Sequence, residues 1–515
     1  MLESYPETGT TNFKGQEIRL SFSEYINAAQ LNQKLIITPK TDIKFKAVAR
    51  RNQLIIKFEE PFEDSTTYNL NFADGVTDIT ENNPAVNLSL AFSTGSYIDS
   101  MRVSGQVIDL FEQTPASGYM VALYPYSDTL DYFKDQPIYF ATTNDSGKYR
   151  LEYIKIDKYK LLAFEDKNKN TLLDPDSEAH GFIPGALELD SVVSFTTPIP
   201  TLLQNVKPIQ FINTRSTGPY IEIKYNKTVS QYTIDSQYDF PSNLTGETKD
   251  VIRLYKVPEV AYGDSLQIIV NAQDSLNNQS IDTLRVPFIE SVRKPSTFSY
   301  SLAPVTQHLT QDQKFRLQFN KPVTVLDSFN LTLEIDSSFL YEIKPSISFA
   351  KYNTEALLSV DLPLETIYDS IKKTIYPDSV TERPLPKSLD IILQQGSFLS
   401  AEGDTSERKK VTLSTTEPTS FGTLKFQLNT SYKRFTLQLL NPKKEVLYSH
   451  KDETTFIFQK VKPDTYTIRI LIDENEDGVW SPGNLLQDLP PEPVYLHPEQ
   501  TSLRENWVVD IELSF

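Results

Sequence analysis

The chain has no cysteine in its 515 residues, which excludes disulfides, thiolate metal sites and cysteine nucleophiles together. That absence does not fix a compartment: bacterial envelope proteins often avoid cysteine, and a lipoprotein would need only the one that is acylated. Histidine is nearly as scarce. His180, His308, His450 and His497 stand far apart, and none lies in an H-E-x-x-H or similar ligand spacing. With only 17 glycines there is no G-x-S-x-G elbow and no phosphate-binding glycine loop. A surplus of positive charge is also missing. The net charge is −18 and the pI near 4.8, so counterion-release binding to nucleic acid has no basic surface to work with, and an anionic membrane surface offers no attraction. No run of about 18 apolar residues and no charged-then-apolar leader occurs, so the sequence as given carries neither a membrane span nor a signal peptide. Carboxylates are abundant, 68 in all, so chance pairs are certain and acid pairs alone do not argue for glycoside hydrolysis.

What is present is repetition. Residues 149–170 read like residues 456–478 at an offset of 307, and Ile18-Arg19-Leu20-Ser21-Phe22 returns as Phe315-Arg316-Leu317-Gln318-Phe319 at an offset of 297. A weaker third copy is Ile221-Glu222-Ile223-Lys224-Tyr225-Asn226-Lys227. Downstream of the first and later copies, Gly75 precedes Phe92-Ser93-Thr94 by the same 17 residues that separate Gly396 from Leu413-Ser414-Thr415. A glycine after a strand allows the positive φ of a tight turn. Short alternating or apolar runs such as Gln53–Phe58 and Tyr68–Phe72, spaced by turn residues, together with 27 Tyr and 29 Phe, predict antiparallel β-sandwiches of about 100 residues each.

The I-x-L-x-F-S-E strand, the Thr66-Thr67-Tyr68 strand start, the glycine turn and the closing F-S-T resemble the SbsA-type bacterial Ig-like domain, over residues 1–97 and again over 292–416. Residues 101–198 and 419–515, with the opening Ser104-Gly105-Gln106-Val107 and the Gly147-Lys148-Tyr149 strand, resemble prealbumin-like or carboxypeptidase-regulatory-like sandwiches. In this order they resemble the Ig-like-domain outer-membrane lipoproteins of Bacteroidota, whose lipidated cysteine and proline-rich leader this sequence does not contain. The expected architecture is all-β, a tandem array of about five sandwiches: 1–97 Ig-like, 98–200 prealbumin-like, 201–291 degenerate Ig-like, 292–416 Ig-like and 417–515 prealbumin-like. Boundaries are expected at Ser96–Ser100, Thr197-Pro198-Ile199-Pro200, Val292-Arg293-Lys294-Pro295 and Thr416-Glu417-Pro418. Linkers this short predict a semi-rigid rod.

The strongest chemical candidate is the acidic loop after the repeated strand. Asp166, Asn168 and Asn170 fill positions 1, 3 and 5 of a calcium-loop pattern, with the Leu172 carbonyl at 7 and Asp174 at 9. In the second copy Asp473, Asn475 and Asp477 fill the same places, Gly478 supplies the sharp turn at 6, and Ser481 stands at 9. The first copy has Thr171 in place of the glycine. Neither has a glutamate at position 12, where Glu178 falls one residue late and the second copy has Asn484. The alternative is a polar hairpin whose Asp and Asn side chains cap their own backbone in Asx turns. A calcium ion here would be weakly held and would stiffen the sandwich. His180, beside Asp176 and Glu178, reads as a surface histidine. Trp480, Trp507, Tyr119, Tyr124 and Tyr126 read as core or interface packing, with stacking on a sugar ring as the alternative for an exposed tryptophan.

Three functions from different classes follow. The first is a non-catalytic scaffold anchored at the outer membrane by lipid, whose partners are outer-membrane or surface proteins. The second is a surface glycan-binding or adhesive protein, which requires an exposed aromatic platform. The third is an enzyme, which requires titratable residues converging in one pocket.

Overall fold

A computed structural model describes residues 1–85, 88–292, 296–327, 329–335, 339–375, 386–415 and 421–515. The expected boundaries at 293–295 and 416–418 lie outside the described residues. The chain is built almost wholly of antiparallel strands, as the alternation predicts. Five sandwich cores succeed one another, drawn from residues 13–92, 103–199, 209–288, 298–413 and 424–513. Each forms because every second side chain of its strands is apolar and turns inward, as in Gln53–Phe58, where Leu54, Ile56 and Phe58 are buried.

The first, third and fourth sandwiches share one sheet topology. In each, a four-stranded sheet is ordered first, second, fourth, third along the chain, with Glu17–Ser21, Tyr220–Tyr225 or Asp312–Phe319 as the second strand. The weak third repeat is therefore a structural one, and its last two residues show why. Asn226 accepts from Gln210 N (2.9 Å) and donates to Pro208 O (3.0 Å), and Asn320 does the same with Ser299 N (2.9 Å) and Thr297 O (2.8 Å). The next residue is a buried lysine in both: Lys227 pairs with Asp274 (2.7 Å), and Lys321 with Glu402 (2.5 Å) and Asp404 (2.6 Å).

The second and fifth sandwiches share another pattern. The opening strand, Met101–Asp109 or Gly422–Asn429, runs antiparallel to Lys148–Ile154 or Thr455–Val461 and parallel to the closing strand, Ile199–Leu203 or Val508–Ser514. The offset of 307 is kept in detail. Tyr159 Oη donates to Lys155 O (2.9 Å) and Tyr466 Oη to Lys462 O (2.6 Å), each ring pinning the turn that precedes its strand.

Two expectations are corrected. Thr197–Pro200 is no linker, because Ile199–Leu203 is a strand of the second sandwich, Val107 pairing with Ile199; the apolar run outweighs the prolines, and the third core begins at Ile209. Nor is the chain a rod in which only neighbours touch, because the fifth sandwich packs on the second.

Candidate functional site

The first acidic loop joins the strand Asp157–Phe164 to the strand Ala179–Leu189. The structure brings Asp166, Asn168, Asn170 and Asp174 together. Asp166 accepts from Asn170 N and Thr171 N (both 3.1 Å), Asn168 Oδ1 accepts from Asn170 N (2.9 Å), and the amides of Asn168 (2.6 Å) and Asn170 (3.2 Å) both donate to Asp174 Oδ2. These are the Asx turns of the polar-hairpin reading, nested one within the next. Glu178 closes the loop. Its fully buried carboxylate accepts from Lys167 N and Asp174 N (both 2.9 Å), and burial pushes its pKa up.

The second loop repeats this geometry at Asp473, Asn475 and Asp477. Asp473 accepts from Asp477 N (3.1 Å) and Gly478 N (2.7 Å), and Asn475 Oδ1 from Asp477 N (2.8 Å). Ser481 stays out of the group, its Oγ accepting from Gly483 N (3.1 Å). The closing glutamate is Glu492, which accepts from Asn475 N (3.1 Å) and Ser481 N (2.7 Å). It escapes a forward count because seven extra residues separate it from Asp473 relative to the spacing of Asp166 and Glu178. Counting back from the next strand finds it, since Phe164 pairs with His180 and Leu471 with Val494, each two residues past its glutamate.

In both loops the Asp and Glu oxygens accept backbone or amide hydrogens, and in the first loop two Asn amides donate to Asp174. Among the described residues no three His, Cys, Asp or Glu side chains gather in a metal-holding arrangement.

Both loops instead stand at joints between sandwiches. Thr171 Oγ1 in the first loop accepts from Lys40 Nζ of the first sandwich (3.0 Å), and Asp176 pairs with Lys207 (2.8 Å) in the turn that leads to the third. The insertion in the second loop forms the short turn Leu485–Gln487 and docks on the second sandwich. Leu485 is buried in an apolar cluster with Tyr124, Leu162, Phe164 and Val206. Asp488 Oδ2 lies 2.7 Å from Lys160 Nζ and accepts from Gly185 N (2.8 Å), and Gln204 Nε2 donates to Gly483 O (3.0 Å). The second sandwich returns the contact: the Phe111 ring meets Trp480 (5.6 Å) and lies under the Arg469 guanidinium (4.8 Å), and Glu112 pairs with Lys444 (2.5 Å).

The remaining candidates fall into place. His180 is buried rather than on the surface, because its strand position faces the covered side of the sheet, and burial holds its pKa down at about 4. Trp480 packs at the joint, with its Nε1 donating to Glu492 O (3.3 Å). Tyr124 is buried in the docking cluster, Tyr119 is half-buried, and Tyr126 and Trp507 are exposed, the latter with Arg504 over its ring. The four histidines lie at separate points along the chain, in three of the five sandwiches.

A family model described as a bacterial Ig-like domain matches residues 1–94. No curated protein matches the chain. An Ig-like domain of this kind fits an extracellular or surface protein with a structural or protein-interaction role. No helix of the described residues is long and apolar enough to cross a membrane.

Proposed function

We propose that the chain is a non-catalytic scaffold of the bacterial cell envelope, carried at the outer membrane by a lipid anchor and presenting its sandwiches to other envelope proteins. The observation that carries this reading is the use made of the two most chemically suggestive loops. Their carboxylates accept the hydrogen bonds that close the turns, and their outer residues form joints between sandwiches. A scaffold needs fixed spacing between its faces, and a joint between sandwiches far apart in sequence supplies it where short linkers alone would allow bending. The acidic surface and the Ig-like match at residues 1–94 support the same reading.

Purification of the native protein from its own membranes in mild detergent, with mass spectrometry of what accompanies it, tests this. A stoichiometric outer-membrane partner, together with an acylated species, is the expected result. A protein that is recovered alone and without lipid contradicts the proposal.

A further inference from the structure

The first and second sandwiches enclose a cleft of about 980 Å³ whose electrostatics oppose those of the chain as a whole. Three cations, Arg102, Lys148 and Arg150, line it and no acid does, in a protein of net charge −18. The strand alternation explains the arrangement. Val103 and Val107 turn into the core from Met101–Asp109, and Tyr149 and Leu151 from Lys148–Ile154, so Arg102, Ser104, Gln106, Lys148 and Arg150 share the outward face. Registry sets Ser104 opposite Arg150 and Gln106 opposite Lys148. One acid outside the lining, Glu152, accepts from Arg150 and lies 3.1 Å from Arg102, offsetting one of the three charges and leaving a positive remainder. Lys148 forms no ion pair among the described residues.

We propose that this cleft binds an anionic saccharide, a sugar chain bearing carboxylate or phosphate. The guanidinium forks and the ammonium match the anion, and hydroxyl and amide groups match the sugar. Ser104 and Ser194 sit side by side (3.2 Å) and Asn144 uses only its Oδ1 internally. An acidic peptide is the competing occupant, because Lys148–Ile154 pairs with Met101–Asp109 alone among the described residues and keeps one backbone edge open; the hydroxyl and amide side chains beside the cations favour the sugar. This site lies apart from the acidic loops, and the proposal does not rest on the scaffold reading.

The test is calorimetry on the whole chain at low salt with trigalacturonate and with mannose 6-phosphate, using neutral maltotriose and hexaglutamate as comparators. At least one anionic sugar binds, the comparators do not bind at the same concentration, and the double variant Lys148→Gln/Arg150→Gln weakens binding about tenfold. The carboxylate or phosphate arm that responds identifies the anion. No binding by either sugar, binding that survives the double variant, or equal binding of hexaglutamate overturns the proposal.

Discussion

The two acidic loops share a stitching pattern and differ in what they reach. In both, an aspartate and an asparagine cap the turn, and a buried glutamate ties its two sides together. Both also turn through left-handed residues at matching positions, Lys169 and Thr171 in the first, Glu476 and Gly478 in the second. The first loop is compact and touches its chain neighbours through Thr171 and Asp176. The second carries seven extra residues, and these reach a sandwich far away in the chain. The lesson is that an element can keep its hydrogen-bonded frame and acquire a long-range joint by insertion at a point the frame does not use.

The largest effect should come from removing the joint without touching the frame. Leu485→Asp places a carboxylate in an apolar cluster, a cost of several kcal/mol that undocking relieves. The expected result is a larger radius of gyration by solution scattering with each sandwich still folded. Next come the two closing glutamates. Glu178→Ala removes a fully buried carboxylate and leaves two partly buried N–H groups unpaired, which should cost about 2–3 kcal/mol in urea unfolding, whereas Glu492→Ala, at a slightly more open site, should cost about 1–2 kcal/mol.

Acid should distinguish the loops as well. His180 titrates near 6.5 when unfolded and at about 4 when folded, because burial disfavours its charge. Between those values the unfolded chain takes up a proton that the folded chain does not. Its stabilising contribution is therefore present above pH 6.5 and is lost as pH falls towards 4, on the order of 3 kcal/mol. The fifth sandwich has Val494 at this place. His180→Val should flatten the pH dependence of the urea midpoint between pH 7 and 4, and an unchanged slope would remove histidine from the explanation.

A smaller contrast lies in the left-handed turn. Gly478 adopts φ +95 freely, whereas Thr171 holds φ 63 with its hydroxyl bonded to Lys40. Gly478→Thr should cost about 1–2 kcal/mol, having no such bond to offset the strain, and Thr171→Gly should change stability by less than half of that. The smallest expected effect is a null one. If hydrogen bonds alone close the second loop, Asp473→Ala lowers the melting temperature equally in calcium and in chelator; a loss seen only with calcium would assign an ion to that loop.

Much of the fold was legible because it depends on local alternation and repetition. The strands, the antiparallel sandwiches and the loop frames follow from residues a few positions apart. The docking was harder to read, because the insertion sits in a polar, proline-rich stretch with only Leu485, Leu486 and Leu489 to mark it, and it breaks the repeat offset. One signal was available. Met120–Tyr124 and Leu161–Phe164 of the second sandwich are buried on both faces without a break, whereas the matching Phe435–Leu439 and Asp464–Ile472 alternate. A continuous run in an antiparallel sandwich means that both faces are covered, and here the second cover is supplied in part by the fifth sandwich. The closing role of Glu492 was hidden by the same insertion, and the burial of His180 by the acidic residues around it.

The central claim is that the second loop holds the fifth sandwich on the second. Zero-length carbodiimide cross-linking of the monomer, read by peptide mass spectrometry, tests it directly because Lys160 and Asp488 are 2.7 Å apart. A peptide joining Lys160 to Asp488, accompanied by one joining Lys444 to Glu112, is the predicted result. If neither forms while the pair Lys158 and Glu188 within the second sandwich cross-links readily, the joint does not exist in solution.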